Sequence, residues 1–218
     1  MWEYKMQQIK NYSTSEILYQ ASCTDGKLCL EKAVTEGVII DGAVFHSEDY
    51  RDGMFDDAYF INTHFINCNL TGANLSEAVF INCFFYSCSL QAACLNESRI
   101  DNCAFIQTRF GDTDFAGSKL SGCIFEDPSV FSLNFHEIDL RLPCFYRHTN
   151  GNSYAMSRPP VIVRGLSHPL IFLDTHILTG ADAYQITADT IRCIARDLCS
   201  MLTSSLFRNA PETSSGKL

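Results

Sequence analysis

His168, Asp174 and His176 are the only acid-base or ligand-type side chains that cluster in this 218-residue sequence. Two imidazoles and a carboxylate are a donor set that could hold a metal such as zinc. Val161-Ile162-Val163 and Leu170-Ile171-Phe172-Leu173, separated by Gly165 to Pro169, read as two strands of a hairpin, with His176-Ile177-Leu178 as a third strand. On that hairpin Asp174 and His176 share one strand face, with His168 near the turn. The three residues follow no recognised metal-binding spacing, and Asp174-Thr175 has the chemistry of a turn. A surface turn carrying ordinary histidines is therefore the stronger reading. No GxSxG, P-loop, HExxH or GxGxxG pattern occurs, and Trp2 and the cysteines have no paired base. The residues point away from an enzyme, and no cofactor is expected.

The elements that would have to position any site are set by a different pattern, a period of five. From Met54 to Phe125 one position is always apolar: Phe55, Phe60, Phe65, Leu70, Leu75, Phe80, Phe85, Leu90, Leu95, Ile100, Phe105, Phe110, Phe115, Leu120 and Phe125. The residue two places before each centre is always small, as Ala58, Thr63, Cys68, Ala73, Ala78, Cys83, Cys88 and Ala93 illustrate. Neither an α-helix nor an alternating strand holds this period, and fixed self-similarity marks a solenoid. Every twentieth residue through Phe65 is also Phe: Phe45, Phe65, Phe85, Phe105, Phe125 and Phe145. Four five-residue sides per coil would stack these rings at about 4.8 Å, the strand spacing. The small residues beside that column are Thr63, Cys83, Cys103 and Cys123. The expected core thus includes Phe45, Phe65, Phe85, Phe105, Phe125, Cys83, Cys103 and Cys123. The small position fails at Glu48, Leu133 and Ile138, so the outer coils are expected to be irregular.

These residues resemble the pentapeptide-repeat family, whose A(D/N)LXX unit is nearly literal in Ala73-Asn74-Leu75-Ser76-Glu77. The resemblance implies an all-β solenoid, a right-handed quadrilateral β-helix, here with a short N-terminal cap and a small α+β C-terminal region. It also implies a bacterial or phage origin and, for some members, delivery into host cells as effectors. Other members imitate duplex DNA and bind type II topoisomerases such as gyrase.

The chain divides into a lead-in over 1–38, the repeat block over 39–145, a hairpin-plus-helix region over 146–208 and a disordered tail over 209–218. Ser13-Thr14-Ser15-Glu16 reads as a capping box before a short helix containing Ile17 and Leu18, which Thr24-Asp25-Gly26 breaks. The run from Arg147 to Ser153 reads as a polar loop. Ile191, Ile194, Leu198 and Leu202 follow helical spacing, predicting a helix over 188–205 with Thr187 as its N-cap. That helix could cap the last coil or fold over an apolar side.

Eleven cysteines is an odd number, no CxxC occurs and no export signal is visible, so the inward cysteines read as packing thiols. No run is apolar enough for a membrane span, and a cytoplasmic location is the default. Delivery into a host cell without a cleavable signal peptide is the alternative. The formal charge of −9 argues against direct nucleic-acid binding.

Function must then come from the surface. One pair of sides carries Asp52, Asp56, Asp57, Glu77, Glu97, Asp112 and Asp114 against Arg51 and Arg109. That net of about five charges over roughly 19 Å is one per about 4 Å, sparser than the one per about 1.7 Å of duplex DNA. The other two sides expose apolar groups, and Tyr59, Ile61, Ile81, Phe84, Tyr86 and Ile106 form the candidate interaction surface. The expected role is a non-catalytic protein-interaction scaffold, meeting a protein partner or a second copy through those sides. An acidic mimic of DNA is the alternative.

Overall fold

Every fifth residue from Gly42 to Gly122 turns the backbone into the left-handed region, with φ between 48° and 71°. These residues are the corners. A residue with a Cβ is disfavoured there by roughly 1–2 kcal/mol, least for Asn and Asp. Asp52, Asp57, Asn62, Asn67, Asn82, Asn102 and Asp112 accordingly fill many of them. Between corners the chain is flat, and each coil bonds to the next through amides such as Asn62 N–H to Ile81 O at 2.9 Å and Val79 N–H to Ala58 O at 2.8 Å.

The structure, a computed structural model, describes residues 4–196. Two of the four sides are regular parallel sheets. One has six strands: Ile39–Asp41, Tyr59–Ile61, Val79–Ile81, Arg99–Asp101, Lys119–Ser121 and Asp139–Leu140. The other stacks Val44–His46, His64–Ile66, Phe84–Tyr86, Ala104–Ile106, Ile124–Phe125 and Cys144–Arg147, then closes with the antiparallel strand Ser153–Met156. The remaining sides pair only through single bridges, along Asp49, Asn69, Ser89 and Arg109 and along Met54, Asn74, Cys94 and Asp114.

Phe45, Phe65, Phe85, Phe105 and Phe125 stack inside with centroids 5.2, 4.8, 4.8 and 5.2 Å apart. All five are buried, as are Cys83, Cys103 and Cys123. Phe145 does not join them. Its strand pairs Phe145 with Ile124 and Tyr146 with Phe125, so Tyr146 and Cys144 point in and Phe145 is exposed. Leu140 still lies in register with Leu120, so the extra residue falls within Arg141-Leu142-Pro143. Upstream of it, three-ten turns over Pro128–Ser132 and Phe135–Glu137 replace flat sides, burying Leu133 and Ile138 where small residues stood before.

The inward small residues share one hydrogen-bonding habit. Thr63 Oγ1, Cys83 Sγ, Cys88 Sγ, Cys103 Sγ, Thr108 Oγ1 and Cys123 Sγ each donate to the carbonyl 23 residues earlier, in the preceding coil. A thiol therefore does what a threonine hydroxyl does there, and all the described cysteines are free. Ser98 and Ser118 sit in the equivalent place on the Ala58–Ala78 side, fully buried, yet neither hydroxyl has a partner. An unsatisfied buried hydroxyl costs about 1–3 kcal/mol. Ser98→Ala is therefore expected to leave the midpoint of denaturant unfolding unchanged or raised. Thr108→Val, which loses the 3.1 Å bond to Phe85 O, should lower stability by about 1 kcal/mol.

The lead-in differs from its sequence reading. Asn11 Oδ1 accepts from the amides of Ser13 and Thr14, and Ser15 takes a φ of 61°. This reverses the chain into a hairpin of Lys5–Lys10 with Ile17–Cys23, so the Ser13–Glu16 capping box starts no helix. The helix is instead Gly26–Thr35, with Asp25 Oδ1 accepting from Leu28 N at 2.8 Å. Helix and hairpin bury Ile9, Cys23, Cys29, Leu30 and Ala33 in the same core as the first coils.

Glu48 occupies a small inward position beneath this cap, its Oε2 only 2.8 Å from where a Cβ on Gly26 would stand. Burial, and then the nearby Asp25, push its carboxyl above the usual range. A carboxyl raised in the folded state is unpenalised while protonated and destabilises once ionised, so its contribution is lost as pH rises through the folded pKa. Glu48→Gln should therefore melt higher than wild type at neutral pH. The gap should close as pH falls through the carboxylate range; a gap constant with pH would contradict this.

At the other end, the stretch read as a polar loop is a tight hairpin turn. His148 N–H donates to Asn152 O at 2.8 Å, and Ser153–Met156 returns along Cys144–Arg147. A four-stranded antiparallel sheet follows, Val161–Val163, Leu170–Phe172, His176–Thr179 and Asp182–Gln185. It abuts the last coil: Arg164 Nη2 donates to Phe131 O at 2.9 Å, and Ile171, Leu173 and Leu178 join the core. Residues 188–196 are helical, with Thr187 Oγ1 accepting from Thr190 N at 3.1 Å. Ile194 of this helix lines a cleft with Leu166, Leu170, Ile177 and Tyr184 of the small sheet. The described part of the helix thus lies beside the small sheet, with Thr190 and Ile194 its half-buried residues. The expected continuation to 205 and the tail over 209–218 lie outside the described residues.

Candidate interaction surface

The outer faces of the two sheets follow from the same alternation that buries the Phe column. In a three-residue strand the middle side chain points in and its neighbours point out. On the seven-stranded side the outward columns are therefore Val44, His64, Phe84, Ala104, Ile124 and Phe145, and His46, Ile66, Tyr86, Ile106, Glu126 and Arg147. Phe84 packs on Tyr86 with centroids 6.1 Å apart, and His64 meets Phe84 edge-on at 5.7 Å. Tyr86 and Phe145 are each 38% exposed. Across strands 64–66, 84–86, 104–106 and 124–125 this face carries no Lys, Arg, Asp or Glu.

The corners beside it are polar and uncharged. Asn62, Asn82 and Asn102 stand along one edge, where Asn82 Nδ2 donates to Asn62 Oδ1 at 3.2 Å. Asn67, Ser87 and Gln107 stand along the other, where Ser87 Oγ donates to Gln107 Oε1 at 3.0 Å. Beyond the asparagine corner the six-stranded side is divided. Its first coils present Ile39, Asp41, Tyr59, Ile61, Val79 and Ile81, and its later ones Arg99, Asp101, Lys119, Asp139 and Arg141. Arg99 pairs with Asp101 and Arg141 with Asp139, each at 2.6 Å.

The six residues singled out from sequence thus wrap one corner: Tyr59, Ile61 and Ile81 on one side, Phe84, Tyr86 and Ile106 on the other. Val44, His64 and Ala104 belong to the same face and were not singled out, although the twenty-residue register places them there. On the acidic sides Arg51 is paired with Asp49 at 2.6 Å, an acid that the sequence count omitted.

The triad considered for a metal is dispersed in its contacts. Asp174 Oδ2 accepts from Ser157 N at 2.8 Å. His176 packs on Tyr154 at 4.7 Å and shares a hydrogen bond with Thr175, while the His168 ring lies against Gly180. Among the described residues no three His, Cys, Asp or Glu side chains form a group that could hold a metal. No described helix is long and apolar enough to cross a membrane.

Five-residue sides, left-handed corners and in-register coils define the class, a four-sided β-solenoid. Residues 55–91 match the family model described as Pentapeptide repeats (8 copies), so that stretch of the chain carries pentapeptide repeats. Among solved structures it is similar to trypsin-treated QnrB1, a plasmid-mediated fluoroquinolone resistance protein, at 15% identity and a TM-score of 0.35, over 48% of this chain and 63% of that one. It is similar to Rfr23, a pentapeptide repeat protein from the cyanobacterium Cyanothece 51142, at 12% identity and a TM-score of 0.23, over 46% and 80%. A pentapeptide repeat protein of the Arabidopsis thaliana thylakoid lumen gives 18% identity and a TM-score of 0.21, over 41% and 66%. The chain spans less than two thirds of the QnrB1 structure, and these likenesses concern the fold alone. No curated protein sequence matches the chain.

Proposed function

We propose that this protein is a non-catalytic interaction scaffold whose apolar sides, around the Asn62–Asn82–Asn102 corner, are its protein-docking surface. One observation carries the reading: a contiguous outward apolar face bordered by uncharged polar corners. Isolated exposed apolar residues are ordinary, but a continuous patch of several hundred Å² marks an interaction site. An apolar centre with a polar rim is also the anatomy of protein interfaces.

The test is an Ile81→Asp, Phe84→Asp double variant, with both changes on outward positions. Its melting temperature should stay close to that of wild type, and a partner retained by the wild-type protein from source-cell extract should be lost. Retention of the same partners by both proteins would overturn the assignment. Inhibition or protection of a type II topoisomerase in a supercoiling assay would favour the DNA-mimic alternative instead.

A further inference from the structure

We infer that the outer face of the seven-stranded side is a self-association surface on which two copies of this chain lie antiparallel, with Phe84 of each seated over Ala104 of the other. This rests on the docking-surface reading above and names the occupant of one of its two sides.

Size supports a second copy. Six stacked strands at about 4.8 Å span roughly 29 Å, counting from Val44–His46 to Cys144–Arg147. A side of five residues at about 3.3 Å each is roughly 16 Å wide. The flat area is then about 460 Å² per copy and about 900 Å² for two, with side-chain relief adding to it. That lies just under the lower bound of about 1,000 Å² for a specific interface, so the association is weak and concentration-dependent.

Charge selects the face. The chain carries a formal charge of −9, and its two bridge-paired sides hold much of the acid, so most pairs of sides repel. The middle four strands of this side carry no charge until Glu126, which follows the fourth at its far edge. Two copies can approach there without setting like charges together, and the Asn, Ser and Gln corners then meet as a neutral rim.

Shape selects the direction. A two-fold axis along the strands reverses the order of coils but keeps each outward column opposite itself. The axis falls between the strands of Phe84 and Ala104, the midpoint of the six parallel strands. Phe84, the large aromatic at the centre, therefore lies opposite Ala104, the smallest side chain among the first six residues of its column. His64 lies opposite Ile124, and Tyr86 opposite Ile106. A parallel arrangement would instead place Phe84 against Tyr86 and set both Glu126 carboxylates at one height, whereas the antiparallel one sets them about three strand spacings apart, each opposite Ile66 of the other copy.

The test uses sedimentation velocity over a concentration series with the full chain, each variant checked for an unchanged melting temperature. Wild type should shift from monomer to dimer as concentration rises, and Ala104→Arg should stay monomeric throughout. Phe84→Ala and Ala104→Phe should each weaken the dimer at least tenfold. The double variant Phe84→Ala, Ala104→Phe exchanges the large and small partners and should recover most of the affinity. A wild type that is monomeric at about 100 µM, a dimeric Ala104→Arg, or a double variant no better than either single one would overturn the proposal. If wild type is monomeric while the Ile81→Asp, Phe84→Asp variant still loses its partner, self-association fails and the docking-surface reading stands.

Discussion

Phe105→Ala is expected to lower the free energy of unfolding by about 3–5 kcal/mol, the loss typical of a buried aromatic. Phe105 is 1% exposed and stands in the middle of the ring column, 4.8 Å from Phe85 and 5.2 Å from Phe125, with Phe110 edge-on at 5.4 Å. Truncation removes its transfer energy, both stacking contacts and one edge contact together. The rigid corners prevent the two flanking coils from closing the gap. Asp101→Ala, on the outside and around the Asn102 corner, removes only a pair with Arg99 and should change stability by less than about 1 kcal/mol. Equal losses for the two variants in denaturant unfolding would contradict the register.

Cys103 should separate substitutions by chemistry rather than by volume. Its thiol is buried and faces two carbonyls, Phe80 O at 3.6 Å and Asp101 O at 3.4 Å. Cys103→Thr keeps a donor of similar size and should be nearly neutral, because Thr63 and Thr108 already make the same bond elsewhere. Cys103→Asp places a carboxylate against two acceptors without a counter-charge. Uncompensated burial of an ionised group should cost on the order of 4 kcal/mol or more, or abolish folding. Circular dichroism melts of the two variants would show the contrast.

Much of the repeat block was legible because one spatial rule generates it. Each coil must present one large and one small inward group per side, so the sequence period reports the coil directly, and Phe65, Phe85 and Phe105 fall where counting by twenty places them. The same counting misplaced Phe145. The residue added within Arg141-Leu142-Pro143 leaves a phenylalanine at the expected number and moves it to the outside. The ends were harder to read because non-repeating local interactions decide them. The Asn11 side chain turns the lead-in into a hairpin, and the strands Ser153–Met156 and Asp182–Gln185 form by pairing with partners already laid down. The corner conformation did leave a signal that went unread, an excess of Asn, Asp and Gly two residues after each apolar centre. On the surface, the apolar residues were visible as residues. Their grouping needed the sheets, which set Ala104 beside Phe84 and put an uncharged edge on either side.

Alkylation of the native protein followed by mass spectrometry tests the twenty-residue register most directly. Burial pushes the Cys103 thiol well above its ordinary range, with the neighbouring Cys83 adding to the effect, and Cys83, Cys103 and Cys123 are all enclosed. Cys94 is outward and half-buried and Cys193 is exposed, so they serve as internal controls in the same chain. Cys193 and then Cys94 should react within the labelling time, while Cys83, Cys103 and Cys123 should stay unmodified until denaturant unfolds the coils. Rapid modification of those three in folded protein would contradict the inward column on which the whole coil assignment stands.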